Sequence, residues 1–342
     1  MTSAHTTPLL VLDHVSRTYQ VQRQTIKAVD DLSLSIQPGE IVCLVGESGC
    51  GKTTTGKMIA GLTPPSSGKI LFNGQDIQAL NKRDYNDFRL AMQMVQQDPY
   101  ASLNPAHIIY DIIAAPLQRH GLTQGDLATR QRVRELLDTV DLTPVDDFLD
   151  KFPHQLSGGQ RQRVSVARAL TVNPKFIVAD EAVSAVDVSI RVSMLRMLTR
   201  LREKIGVAFL FITHDLALAR YFAWEGRIGV MYLGRLVELG PARQVIEHPQ
   251  HPYTQVLLSA IPEADPDATR SKTRIELRSP DVPSLLRLPR GCAFHPRCPA
   301  FEGGLCESTV PVLTELGDGI AVACHPVVRR KRSAFSNQSS VA

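Results

Sequence analysis

EIVCLVGESGCGKT, residues 40–53, runs from an unbroken apolar stretch straight into a glycine-rich loop. Ile41–Val45 has no polar position, the pattern of a strand buried on both faces of a parallel sheet. The following GESGCGKT, Gly46–Thr53, matches G-x-x-x-x-G-K-[ST] and stands before a predicted helix, so strand, loop and helix come in the order a phosphate-binding loop needs. Such a loop must bring its backbone N–H groups close to a polyphosphate, which Gly49 and Gly51 permit, and the helix adds its positive dipole end. In that frame Lys52 reaches the β- and γ-phosphates, the Thr53 hydroxyl ligates Mg²⁺ and Thr54 adds a phosphate contact. A chance glycine-rich turn would explain the loop, but not its flanks.

Working outward, two more apolar runs read as buried strands: KFIVAD at 175–180 and VAFLFIT at 207–213. Between them Ile190, Met194, Met197, Leu198, Leu201 and Ile205 form one helical face. Alternating buried strands and helices predict a parallel α/β sheet. Residues 9–36 and GKILFNGQDI, 68–77, read as additional strands and turns. Val133, Leu136, Leu137 and Val140 have helical spacing, and 104–152 reads as mostly helical. The polar, turn-rich PEADPDATRSK, 262–272, predicts a linker to a separate tail module.

Two carboxylates close the second strand. Asp180 is placed to hold Mg²⁺, through water, at the C-terminal edge of the sheet. Glu181 can orient and deprotonate an attacking water. His214, at the end of the third strand, can hydrogen-bond the γ-phosphate region.

The composition is that of an ordinary globular chain: 342 residues, 43% hydrophobic, 21% charged, net charge +4. The one dense basic run, VVRRKR at 327–332, reads as a solvated tail. No apolar run reaches bilayer length, and MTSAHTTPLL lacks the pattern of a secretory signal. The expectation is a chain kept in the cytosol, where thiols stay reduced. Six cysteines are distributed unevenly: Cys43 and Cys50, then Cys292, Cys298, Cys306 and Cys324 together. In a reducing compartment a metal site explains the four better than disulfides do.

LSGGQRQR, Leu156–Arg163, resembles the signature of ATP-binding-cassette (ABC) ATPases, and surrounding marks agree in order and spacing. The resemblance spans roughly Leu9 to Ile261. It implies a P-loop NTPase with a RecA-like parallel core, an antiparallel β subdomain, a helical subdomain at about 104–170 and a small C-terminal cysteine-rich module. The implied division is a nucleotide-binding domain at 1–262 and a C-terminal region at 263–342. Tyr19 matches the aromatic that stacks on adenine. Gln97, in preference to Gln96, matches the Q-loop glutamine that touches Mg²⁺ and senses the transmembrane partner. SAVD, 184–187, resembles the D-loop with Asp187, and His214 the switch histidine. The nucleotide set implied is Tyr19, Gly46, Ser48, Gly49, Cys50, Gly51, Lys52, Thr53, Thr54, Gln97, Ser157, Gly158, Gly159, Gln160 and Asp187, with Glu181 and His214 catalytic. Thr53, Gln97 and Asp180 hold Mg²⁺. Ser157, Gly158 and Gly159 open a helix, a second anion cradle that is useful only across a dimer interface.

QDPYASLNP (97–105), VSAVDVSI (183–190), MYLGRLVELG (231–240) and HPQHPYTQVLLSAIP (248–262) resemble the ATPases of oligopeptide/dipeptide importers, nearer the F-type than the D-type subunit. That resemblance implies a peripheral ATPase on the cytoplasmic face of the membrane, paired with a paralogous ATPase, two transmembrane permease subunits and an extracytoplasmic substrate-binding protein. No nucleic acid is expected. Related importers move nickel or oligosaccharides, and soluble cassette ATPases act on ribosomes or DNA; both are alternatives. The spacing of Cys292, Cys298, Cys306 and Cys324 resembles the [4Fe–4S] site of that group, for which four thiolates are the usual ligands. Zinc competes, with His295 and His325 as substitute ligands, and four ordinary buried thiols come third. Two departures from the family pattern stand out: Ala182 follows Glu181 where proline is usual, and Val186 replaces the D-loop leucine.

Overall fold

The computed structural model describes residues 7–21, 23–184, 186–261 and 274–339. The expected linker at 262–272, the boundary at 262/263 and most of MTSAHTTPLL lie outside them.

The first layer is a four-stranded antiparallel sheet, ordered β2 (Gln24–Ile36), β1 (Leu10–Val21), β4 (Ser67–Phe72), β5 (Gln75–Asp76). The second is an eight-stranded sheet whose centre is parallel. Its order is β11 (Thr314–Gly317), β12 (Ile320–Val322), β10 (Arg235–Pro241), β9 (Arg227–Tyr232), β3 (Ile41–Val45), β8 (Ala208–Thr213), β7 (Phe176–Asp180), β6 (Met92–Val95). Strands β9, β3, β8, β7 and β6 run parallel, while β10, β12 and β11 add antiparallel at one edge.

The unbroken apolar runs are explained by burial on both faces. In β3, Ile41, Cys43 and Val45 enter one core, and Val42 and Leu44 the other. Strand β7 divides the same way, with Ile177 and Ala179 opposite Phe176 and Val178. One core lies toward the antiparallel sheet and α1 (Lys52–Ile59). The other joins the sheet to α4 (Ile109–Arg119), α5 (Gly125–Thr139), α7 (Gly158–Leu170) and α8 (Val188–Ile205).

Val133, Leu136, Leu137 and Val140 are all buried, in and just after α5. On α8, Met194, Met197, Leu198 and Leu201 are buried as the spacing predicts, but Ile205 is 53% exposed. It is the last residue of the helix, beside a left-handed Gly206 that ends it, so it has left the packed stripe.

The tail is joined to this frame. Strand β12 pairs with β10 through Glu238–Val322 and Leu239–Ala321. The basic run at 327–332 lies in a helix, His325–Ser339, where Arg329 and Arg330 both pair with Glu302. Among the described residues no helix is long and apolar enough to cross a membrane.

Candidate functional site

The loop after β3 is glycine-rich because its neighbours leave no space. A Cβ on Gly46 would lie 2.2 Å from the Met231 carbonyl, and one on Gly51 2.2 Å from the Ala28 carbonyl. Gly49 instead faces open space with φ +79°. No side chain caps α1 at Gly51, so the helix presents free N–H groups to an anion. Ser48 and Gly49 are exposed, while Cys50 is buried. Lys52 is buried, and its ammonium donates to the carbonyls of Gly46 (2.7 Å) and Glu47 (3.0 Å). The loop therefore carries its own cation. Thr54, two residues beyond Lys52, is half-buried.

Because β8 alone separates β3 from β7, the end of β7 stands near the loop. The Thr53 hydroxyl donates to Asp180 Oδ1 at 3.1 Å. Asp180 is buried, and burial pushes its carboxyl above the usual range, against the opposing hydrogen bond from Thr53. A divalent cation beside it would reverse that bias, so the donor set fits Mg²⁺.

Glu181 sits where three loops meet. One carboxylate oxygen accepts from Gln97 Nε2 at 2.9 Å, and the other lies 3.1 Å from His214 Nδ1. The backbone of Glu181 has φ +47°, a conformation costly for a residue with a side chain. It is fixed by its N–H donating to the Ile212 carbonyl and by Ser184, whose N–H and hydroxyl both donate to the Glu181 carbonyl. Gln97, not Gln96, reaches this carboxylate; the Gln96 carbonyl instead accepts from Gln162 of α7. Ala182 is buried. Arg191 of α8 holds the Ser184 and Val186 carbonyls, a bracing role that its sequence position does not announce. Asp187 is exposed at the start of α8, its side chain making no cap.

Ser157, Gly158, Gly159 and Gln160 begin α7 through a reciprocal cap: the Gln160 N–H donates to Ser157 Oγ, and the Ser157 N–H to Gln160 Oε1. Among the described residues no hydrogen bond joins them to residues 46–54. Gly159 is required by packing, since a Cβ there would stand 2.7 Å from Ile190 Cγ2. Tyr19 is separate too, on β1, with the Arg17 guanidinium 4.7 Å from its ring centre.

The four tail cysteines do converge, lining one small cavity with His295 and His325, yet they do not form a metal site. The cavity is about 10 Å³, room for at most one water. Burial pushes the Cys298 thiol up to about 11 and the Cys324 thiol up to about 12. The His295 and His325 rings lie 2.9 and 2.8 Å from backbone carbonyls. Among the described residues no group of three or more His, Cys, Asp or Glu can hold a metal ion. The expected [4Fe–4S] cluster, and zinc in its place, are thus corrected to a packed cluster of free thiols.

Fold and corner together define an ATP-hydrolysing P-loop cassette. Residues 29–184 match the ABC transporter family, and 237–306 the oligopeptide/dipeptide transporter C-terminal region. A putative peptide import ATP-binding protein of Brucella ovis is 44% identical over 319 residues, 93% of this chain and 98% of its own. The oligopeptide transport ATP-binding protein OppF of Bacillus subtilis is 48% identical over 270 residues, 79% of this chain and 87% of its own. Neither name mentions an iron–sulfur cluster. Among solved structures, the dimeric bacterial ABC transporter cassette MJ0796 superposes with TM-score 0.61 at 29% identity, covering 68% of this chain and 99% of its own. The chain belongs to the ABC transporter ATP-binding proteins, in the group carrying the oligopeptide/dipeptide C-terminal region.

Proposed function

We propose that this chain is the ATP-hydrolysing subunit of an importer of di- and oligopeptides, driving uptake through membrane permeases. The observation that carries the reading is the Glu181 carboxylate, shared between Gln97 and His214 and adjoining the Thr53–Asp180 pair. The names of the relatives, peptide import and oligopeptide transport, support the cargo class.

In this reading Gly46, Ser48, Gly49, Cys50, Gly51, Lys52, Thr53 and Thr54 cradle the phosphates, and Tyr19 stacks on adenine. Thr53, Gln97 and Asp180 would hold Mg²⁺, which supplies charge neutralisation on the β- and γ-phosphates. Glu181 takes a proton from water as the water oxygen attacks the γ-phosphorus and the bond to ADP breaks. His214 steadies the carboxylate and the γ-phosphate, and Gln97 ties it to the permease-facing side. Ser157, Gly158, Gly159 and Gln160, with Asp187, complete the site of a paired cassette. Driving a two-state equilibrium from 1:99 to 99:1 takes about 5.5 kcal/mol, and charge-assisted bonds contribute about 1.5–3 kcal/mol each. A few γ-phosphate bonds to the signature helix suffice, and ADP cannot make them.

Residues 1–262 form the nucleotide-binding unit on this reading, and 263–342 a C-terminal region docked on it. The partners are a paralogous cassette, two permease subunits and an extracytoplasmic binding protein, with this chain peripheral on the cytoplasmic face. The test is reconstitution of the purified complex in vesicles with its binding protein, measuring ATP-dependent uptake of labelled peptides. Uptake that stops with Glu181→Gln is expected; ATP turnover with no peptide uptake would refute the cargo assignment.

A further inference from the structure

Glu47, the second residue of the phosphate loop, is held at three points. Its N–H donates to the Tyr253 hydroxyl (3.0 Å), its carbonyl accepts from Lys52, and its carboxylate accepts from Arg297 (3.1 and 3.0 Å). Arg297 comes from the tail, between Cys292 and Cys298, 250 residues away in sequence. Its side chain is 6% exposed.

The guanidinium directs all its hydrogen bonds through one terminal nitrogen, to the two Glu47 oxygens and to the Tyr232 hydroxyl at 3.3 Å. Its Nε has no partner among the described residues. An arginine so enclosed has Glu47 as its counter-charge. Aromatic rings pack around it: Phe294 lies edge-on to Tyr232 and Tyr253 with ring centres 5.3 and 5.2 Å apart. The Cys292 N–H and the Cys306 carbonyl close the base of the turn that carries Arg297.

A carboxylate inside a phosphate loop repels the polyphosphate the loop must accept. We infer that Arg297 is a positioning residue for ATP binding, which draws the Glu47 carboxylate onto the tail and cancels its charge. The tail thereby sets the affinity of the loop for nucleoside triphosphate. This rests on the reading that residues 46–54 hold ATP. It gives the buried thiols a place in the account, as the frame of the turn bearing Arg297.

The test measures nucleotide binding by the full chain, using ATP, ADP and adenosine. Arg297→Met, which strands the Glu47 charge, should weaken ATP about tenfold, ADP less, and adenosine least. The double variant with Glu47→Gln should return ATP affinity to within about twofold of wild type, and Arg297→Lys to within about threefold. Glu47→Gln alone keeps an acceptor for Arg297 and should tighten ATP about two- to threefold; that arm stands even if Arg297→Met does not fold. The inference is overturned if Arg297→Met binds ATP like wild type, if it weakens all three ligands equally without rescue by the double variant, or if Glu47→Gln weakens ATP. Failure of the wild-type chain to bind ATP would instead bring down the reading of the loop, and the inference with it.

Discussion

Two places in this molecule gather reactive side chains from distant parts of the sequence, and they came out differently. At the proposed catalytic corner Lys52, Thr53, Asp180, Glu181, Gln97 and His214 are polar groups held in place by hydrogen bonds, beside the exposed Ser48 and Gly49. In the tail Cys292, Cys298, Cys306 and Cys324 surround almost no space, and burial keeps at least three of the thiols protonated. Convergence is common to both. What differs is the chemistry of the groups: hydrogen-bonding polar side chains at the corner, and buried thiols around a cavity of about 10 Å³ in the tail.

The contrast can be sharpened by experiment. Glu181→Gln should lower ATP turnover by roughly 10²–10⁴, the range for losing a general base; phosphate release by the assembled complex measures it, and normal turnover would move the base elsewhere. Gly159→Ala forces a methyl against Ile190 and should cost about 1–3 kcal/mol, as overpacking does, read by denaturant unfolding.

A smaller effect concerns the wall between the regions. His251 is buried, and burial lowers its pKa to about 3. A histidine depressed in the folded state contributes stability that is full above its ordinary pKa, near 6.5, and is lost as pH falls below it. Unfolding followed from pH 7 to 5 should therefore show declining stability, with a shallower decline in His251→Gln. Last, prolonged exposure to iron and zinc chelators should leave the melting temperature unmoved, and elemental analysis should find neither metal at one per chain. A chelator-sensitive melt would return the tail to metal chemistry.

Much of the corner was legible because it is local. A strand buried on both faces must read as unbroken apolar residues, and a loop pressed against the Met231 and Ala28 carbonyls must use glycine. The carboxylates at 180–181 were legible as the end of such a strand. Strand β6 was not, since its four residues, MQMV, carry neither length nor alternation enough to mark it. The positive φ of Glu181 had no signal either, because glutamate does not advertise a left-handed backbone. The cysteine spacing suggested ligands but held no information on cavity volume. The Arg297–Glu47 pair spans 250 positions, and nothing short of the folded tail shows it. Arg297 lies within GCAFHPRC, residues 291–298, between Cys292 and Cys298.

The account depends most on the capped helix at Ser157–Gln160 completing a nucleotide site that belongs to another cassette. The most direct test is light scattering on Glu181→Gln, purified with its partner cassette, in saturating ATP and then in ADP. The account predicts the mass of a closed pair in ATP and of separate cassettes in ADP. Equal mass in the two nucleotides, or full-rate phosphate release by a lone wild-type cassette, would contradict it.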